Sequence, residues 1–518
     1  MSKIEVRNTS IIINNYEAGD NIPLERQFCI YDKLYHKFKA KAIFYDGNKK
    51  TLRLPRGIDV SYIEYQFGEI AEYINECDEY DMVDPIMIKY LPRDEVQQKA
   101  LQFMLGLDEY RNNLYQTQLS VNLNTGAGKT YVSIAMSSYL RERTIVITSS
   151  IDWLEQWKAR IMEYTDTTKD EIYILSGASS IDRLFMQHHD ITKIKYLLAS
   201  HMTLKSYAKK NPNKLTELFK YFRVGLKIYD EAHIYFDNIV LIDSYTNTKK
   251  TIYLTATPAR SDKSEDRIYQ LVFKNVPKIN LFDEDKDPHT KCISIHYNSH
   301  PTMDQIQKCK NAYGFNRLNY IDYIITRPNL YKLIFVIMDL CIPLGGKILF
   351  YIGKIEAIAY IADWMRYNFP LLANDIAIFN STVSKEEKEM ILRDKRIILS
   401  TTKSCGAAMD IQGLKCTVVL TEPIGSPVVT QQSFGRTRDD NTYYIDVVDE
   451  GFPALRRYHE NKREIFDKYA TECIEVTVDD IQLEQKYSEA YFKFNGQFMQ
   501  YMNTQDTKEF KTIATRIE

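Results

Sequence analysis

The stretch 121–136, VNLNTGAGKTYVSIAM, decides how the rest of the chain is read. An apolar run ending at Leu123 breaks into a turn containing Gly126 and Gly128, and helix-forming residues follow from Lys129. Backbone N–H groups at a helix amino terminus, brought close by small residues, bind phosphate oxygens. In such a loop the lysine reaches the outer phosphates and the Ser or Thr after it holds Mg2+. Thr125, Gly126, Ala127, Gly128, Lys129 and Thr130 supply this wrap, with Lys129 and Thr130 in those two roles. The strict pattern opens with a glycine five places before Gly128, where this chain has Leu123.

A second element, LKIYDEAH (226–233), puts Asp230 and Glu231 directly after an apolar strand. That is the carboxyl edge, where open α/β sheets bind ligands. There Asp230 would order Mg2+ through its water shell, and Glu231 would orient and deprotonate an attacking water. Two solvated acids at a strand end are the plainer alternative, and the phosphate loop upstream weighs against it.

Around these two sites, short β-branched runs alternate with helical ones: RTIVITSS, DEIYILSG, KYLLASH, GLKIYDEAH and KTIYLTATP. After a mixed region the rhythm resumes with KILFYIG, DIAIFNS, RIILSTT, CTVVLTE and TYYIDVVDE. Apolar strands separated by helices imply parallel sheets covered on both faces. The expected class is α/β, with two tandem parallel-sheet domains at 89–262 and 326–475. A small α+β module precedes them at 1–88, a linker or accessory segment fills 263–325, and a helical tail occupies 476–518. Within the module, KAKAIFYDGNKKTLRLPRG reads as two strands around an Asp46-Gly47-Asn48 turn. GEIAEYINECDEYDMVD reads as its acidic, partly helical exit.

Composition narrows the function classes. No apolar run reaches the ~20 residues of a membrane helix, and no signal-peptide pattern opens the chain. Eight cysteines without a CxxC pair argue against a zinc ribbon and for reduced thiols in a cytoplasm. A net charge of -2 means that any nucleic-acid surface must be local.

NTGAGKT, YDEAH, LTATPAR and QQSFGRTRDD, in that order, resemble motifs I, II, III and VI of the superfamily 2 (DEAH-box-like) helicases and translocases. The resemblance covers about residues 89–470 and implies two RecA-like domains with ATP and Mg2+ bound between them. It assigns catalysis to Lys129, Asp230, Glu231, Gln432, Arg436 and Arg438, and metal binding to Thr130 and Asp230. It assigns coupling of hydrolysis to movement to His233, Thr255, Ala256, Thr257 and Asp410. VQQKAL resembles the Q-motif, with Gln97 against adenine and its arginine spacing off by one at Arg93. SIDWLEQW resembles motif Ia, with Gln156 on a nucleic-acid backbone. In motif V, Ala408 stands where the family has glycine. In motif VI the second arginine falls one place early at Arg438, with Asp439 in its slot, so either Arg436 or Arg438 is the finger that reaches the transferring phosphoryl group.

The amino-terminal module places Lys39, Lys41, Arg53 and Arg56 among aromatic side chains, a pattern that suits a strand-tracking, base-stacking surface. A solvated lysine face over an aromatic core is the alternative. The compact layout resembles phage UvsW-type branched-DNA helicases and poxvirus-type transcript-release helicases, which would work in a cytoplasm, the host's if the chain is viral. Three readings follow. The first is an ATP-dependent DNA helicase remodelling forks and junctions in recombination, repair or replication. The second is a duplex translocase for transcript release without strand separation, and the third a nucleotide-gated binding protein without turnover. RNA as partner stays open. Aromatic NAYGFNRLNY (311–320) is either a strand-separating wedge or packing.

Overall fold

The structure is a computed structural model. It describes residues 3–16, 22–32, 37–46, 50–69, 71–74, 77–123, 126–149, 151–186, 191–255, 263–281, 289–311, 314–405, 411–434 and 441–485. The chain divides into two compact units, Met1–Glu284 and Asp285–Glu518.

The first unit opens with β1 (Lys3–Val6), β2 (Ser10–Asn14), β3 (Cys29–Asp32), β4 (Lys37–Lys41), β5 (Phe44–Asp46), β6 (Thr51–Pro55) and β7 (Ala71–Tyr73). Five of them form a mixed sheet in the order β5-β6-β2-β1-β7, and β3 pairs with β4. The stretch read as one strand, KAKAIFY, is therefore split between two sheets at Ala42 and Ile43, both buried. The expected helical exit is also corrected. Helix Val60–Phe67 stops at Gly68, whose φ of 65° turns the chain, and Glu64 Oε1 accepts the Ala71 N–H at 2.7 Å. The chain then runs parallel to β1 as β7.

The first large sheet contains β8 (Gln118–Leu123), β9 (Thr144–Thr148), β10 (Ile172–Leu175), β11 (Tyr196–Ser200), β12 (Leu226–Tyr229), β13 (Lys250–Thr255) and β14 (Lys278–Leu281). Their order is β10-β11-β9-β12-β13-β8-β14, and every pair is parallel. β8, β9, β11, β12 and β13 are buried along their whole length, as a sheet covered on both faces requires. The order brings the carboxyl ends of β12, β13 and β8 side by side, so the acids after β12 lie one strand away from the loop after β8.

The small mixed sheet is not a free-standing module. Its core of Ile4, Ile11, Ile13, Leu52 and Leu54 is completed by Phe236, Val240, Ile268, Tyr269 and Val272 from two helices of the first large sheet. Gly57 marks the closest approach: a Cβ there would lie 2.4 Å from the Val272 carbonyl oxygen. Behind β12, Lys227 is fully buried and pairs with Asp243 at 2.5 Å, and Asp243 also accepts from Tyr229 (2.8 Å) and Tyr253 (2.5 Å). His201 stacks on Tyr229 with ring centroids 5.6 Å apart.

The second large sheet contains β15 (Thr290–Tyr297), β18 (Lys347–Tyr351), β19 (Ile376–Phe379), β20 (Ile397–Ser400), β21 (Leu414–Val419), β22 (Thr442–Asp449) and β23 (Glu472–Thr477), with a short hairpin of β16 (Lys310–Asn311) and β17 (Gly314–Phe315) beside it. Its order is β19-β20-β18-β21-β22-β15-β23, all parallel. The segment 263–325, expected as linker, instead supplies β14 to the first sheet and β15 to the second. Phe315 and Tyr320 pack on Phe452, so the described aromatics of 311–320 serve packing inside the second unit. The tail begins as a strand, and Leu483 joins the core, with 486–518 outside the described residues. All eight cysteines are free thiols. Among the described residues, no helix is long and apolar enough to cross a membrane.

Asp243→Leu should cost about 3–5 kcal/mol, because it strands the buried Lys227 ammonium; urea unfolding reads this as a lower midpoint. Burial pushes His201 down to about 3. A histidine kept neutral in the fold contributes stability above its unfolded value near 6.5 that is lost as pH falls toward the folded value. His201→Phe, which keeps a ring on Tyr229, should therefore flatten the fall of unfolding free energy between about pH 6.5 and 4.

Candidate nucleotide-binding site

The site is built where β8 and β12 end. After β8, Gly126 (φ 83°) and Gly128 (φ 93°) hold left-handed conformations that glycine adopts without strain. Gly128 caps helix Lys129–Leu140. Beneath the loop, buried Gln97 donates its Nε2 to the Ala127 carbonyl at 3.2 Å, and its Oε1 accepts from Arg93 N–H at 2.8 Å. A Cβ on Gly128 would meet that Nε2 at 2.2 Å. The Q-motif-like glutamine thus fastens the first helix to the loop.

Lys129 points at the second element. Its Nζ lies 2.7 Å from Glu231 Oε1, with the two side chains only 10% and 4% exposed. Glu231 takes φ 51°, a conformation that costs a residue with a Cβ and persists only when its surroundings hold it. The neighbouring backbone does so: Asp230 N–H donates to the Ile147 carbonyl on β9, and Ala232 N–H to the Leu254 carbonyl on β13. Glu231 Oε2 lies 3.4 Å from His233 Nδ1, which lies 2.7 Å from Thr255 Oγ1. A chain of polar contacts therefore runs Lys129–Glu231–His233–Thr255, from the loop after β8 to the end of β13.

Asp230 is buried beside them. Burial first, then the charge of Glu231, pushes its carboxyl up to about 6, against the pull of Lys129 and a hydrogen bond from Trp157 Nε1 at 2.9 Å. Two carboxylates facing one ammonium leave the site short of positive charge. The Asp230 oxygens and the Thr130 hydroxyl are hard donors of the kind Mg2+ takes, so the residues fit that ion. Trp157 is the residue sequence reasoning missed here. It sat in the segment resembling motif Ia, yet it is buried in the core and serves the acid of the site. Its signal was the apolar face of helix Ile151–Tyr164, on which Trp153, Leu154, Trp157 and Ile161 all turn inward. Gln156, beside it, is half-buried.

Other expected residues stand apart from this cluster. Thr125, Ala256, Thr257, Asp410, Arg436 and Arg438 lie outside the described residues, as do the side chains of Gln432 and Lys39. Arg53 turns inward rather than toward a ligand. It donates to the Ser244 carbonyl at 2.8 Å, stacks over Tyr245 at 4.7 Å, and burial lowers its pKa. Burial does the same to Arg56, over Tyr73. Both arginines are therefore corrected from candidate nucleic-acid contacts to parts of the packing. Lys41 lies over Phe38 and Phe44, and Tyr31 and Phe38 are exposed beside it.

Comparison with known proteins agrees with this geometry. Residues 91–260 match the family described as type III restriction enzyme, res subunit. Over 152 residues, 29% of this chain, the sequence is 29% identical to the DNA 3'-5' helicase XPB of Mycobacterium tuberculosis. That match spans only 26% of the relative's length. A longer one, 21% identical over 342 residues, covers 63% of this chain and 66% of transcript termination protein A18 of Yaba-like disease virus. Among solved structures, S. cerevisiae Dbp5 bound to RNA and ADP BeF3 aligns with 77% of this chain and 93% of its own. At 13% identity and a TM-score of 0.50, that likeness shows the fold alone. T4 UvsW aligns with 92% of this chain and 99% of its own at 14% identity, and its TM-score of 0.35 carries no argument.

The matches and the two parallel sheets fit a superfamily 2 helicase or translocase. Within that superfamily it is similar both to DNA helicases and to a poxvirus transcript-termination protein.

Trp157→Phe keeps the ring in the core and removes the hydrogen bond to Asp230. The Mg2+ concentration needed for half-maximal binding of a fluorescent ATP analogue should rise about 10–100-fold, the usual cost of losing an orienting partner, with the melting temperature nearly unchanged.

Proposed function

We propose that this chain is a nucleic-acid-dependent ATPase that moves on DNA and remodels branched structures such as forks and junctions. The observation that carries the ATPase part is the Lys129–Glu231 pair at the mouth of the phosphate loop. ATP offers Lys129 a better partner than Glu231. As the ammonium moves to the outer phosphates, the carboxylate is released to accept a proton from the attacking water. The ion pair thus keeps the base occupied until nucleotide arrives. Mg2+, held by Thr130 and Asp230, would neutralise charge on the phosphates. Loss of the outer phosphate would then be felt at Thr255 through His233. Arg436 or Arg438 would supply the finger, on the strength of the sequence resemblance.

The branched-DNA part rests on the layout shared with UvsW-type helicases and on similarity to DNA helicases. The likeness to a transcript-termination protein over 342 residues favours a second reading, a duplex translocase that releases transcripts.

Steady-state ATP hydrolysis tests both. Wild type should turn over ATP fastest with forked or four-way DNA, compared with no polynucleotide, single strands, plain duplex and RNA. Glu231→Gln should keep nucleotide binding and lose about 10²–10⁴-fold in turnover, the range for a positioned base, whereas Lys129→Ala should lose both. Turnover indifferent to Lys129 would sink the ATPase reading. Equal stimulation by plain duplex, without strand separation, would select the translocase. No turnover on any polynucleotide would leave a nucleotide-gated binding protein.

A further inference from the structure

In the second unit, far along the chain from the nucleotide site, β15, β22 and β23 turn one face toward helix Pro453–Tyr469. Ser294 stands in register with Asp446 and Glu475, and His296 follows two residues on, so these side chains share that face. The helix adds His459 and Lys462. Among the described residues, His296, His459 and Glu475 bring one ligand atom each within 4.8 Å of one another.

Each imidazole is oriented from behind by its own carboxylate. His296 Nδ1 lies 2.6 Å from Glu450 Oε1, and His459 Nδ1 lies 3.1 Å from Asp446 Oδ2. Both Nε2 atoms then turn to one group: Glu475 Oε2 at 2.5 Å from His296 and Oε1 at 3.3 Å from His459. A carboxylate on the far nitrogen is what fixes ring orientation and raises basicity in metal-ligating histidines. Asp446 is in turn held by Lys462 Nζ at 2.5 Å, and Arg456 lies 3.7 Å from Glu450.

Hydrogen-bond chemistry sharpens the point. Carboxylate oxygens only accept, so each of the four contacts needs a donor on the imidazole side, and the two ring centroids are 5.0 Å apart. One divalent ion between the two Nε2 atoms and Glu475 carries the same charge as the two protons it displaces, and leaves two neutral ligands. Bonds of about 2.1 Å in a tetrahedron set ligand atoms roughly 3.4 Å apart. That lies inside the 4.8 Å that bounds the three ligand atoms, and the ion would spread the 2.5 Å His296–Glu475 contact by a small side-chain shift.

We propose that His296, His459 and Glu475 bind one divalent transition-metal ion of the zinc class, separate from any Mg2+ at the nucleotide. Two imidazoles select such an ion over Mg2+ or Ca2+. The ion would staple the edge strand β23 and the helix to β15, with a fourth position open to water on the side where Glu475 is exposed.

The test uses tag-free full-length protein, stripped with a chelator, free of nucleotide, and titrated with Co2+ and then Zn2+. Wild type should take up one equivalent of Co2+ with the visible absorption of a low-coordinate site, lose that signal to Zn2+, and melt several degrees higher with Zn2+. Glu475→Gln and His296→Asn should each bind that equivalent at least tenfold more weakly and lose the Zn2+-dependent shift. Glu475 is partly solvent-exposed, so its variant should match wild type in melting when metal-free; that control separates lost binding from lost folding. Wild type with no such equivalent, or variants that bind as wild type does, would overturn the proposal.

Discussion

An ammonium from the loop after β8 and a carboxylate from the turn after β12 meet at 2.7 Å, almost out of water. Burying two charges is expensive, and only tight geometry with further polar partners offsets it. That need explains much of the first unit. The strand order sets β8 two places from β12, with only β13 between, the chain at Glu231 bends into a left-handed conformation, and the backbone on both sides is tied to β9 and β13. Gln97 and Trp157 then steady the loop from below and the second acid from the side. A nucleotide would not have to build this site; it would only have to exchange one partner of Lys129.

Strands β8 to β13 and β18 to β22 were legible because each is an apolar run between turns, mostly buried in its sheet. The phosphate loop and the acid pair were legible because their chemistry lies in consecutive residues. What escaped was chemistry set by distant partners. Gln97 supports the loop because Ala127 is folded over it, and Trp157 reaches Asp230 only because helix Ile151–Tyr164 packs beside β12. Arg53 looked like a ligand contact beside its aromatic neighbours, yet its partners are Ser244 and Tyr245, nearly two hundred residues on. β14 and β15 lay unseen in a mixed region, since β14 is a half-exposed edge strand and the partners of β15 come far later in the chain.

The mixed sheet at the amino terminus changes meaning for the same reason. As a sequence it has the marks of an appended module, but five of the nineteen buried residues of its hydrophobic core belong to helices of the first large sheet. Its basic residues divide accordingly, with Arg53 and Arg56 drawn inward while Lys41 stays with exposed Tyr31 and Phe38. None of the eight cysteines is in a disulfide: six are buried, Cys77 is half-buried and Cys473 is exposed.

The placing of β15 between β22 and β23 has a consequence for the chain as it is made. Thr290 bonds across to Thr442, 152 residues later, and the other flank of β15 is closed only by β23. At about 5–20 residues per second, the ribosome needs roughly 8–30 s to deliver the first of these partners. Through that interval Cys292, Ile293 and Ile295, all buried in the finished fold, have no sheet to enter. The second unit therefore cannot assemble strand by strand as it emerges. It waits for β22 and β23, and in that wait an apolar strand with two open edges is exposed to pairing with other chains.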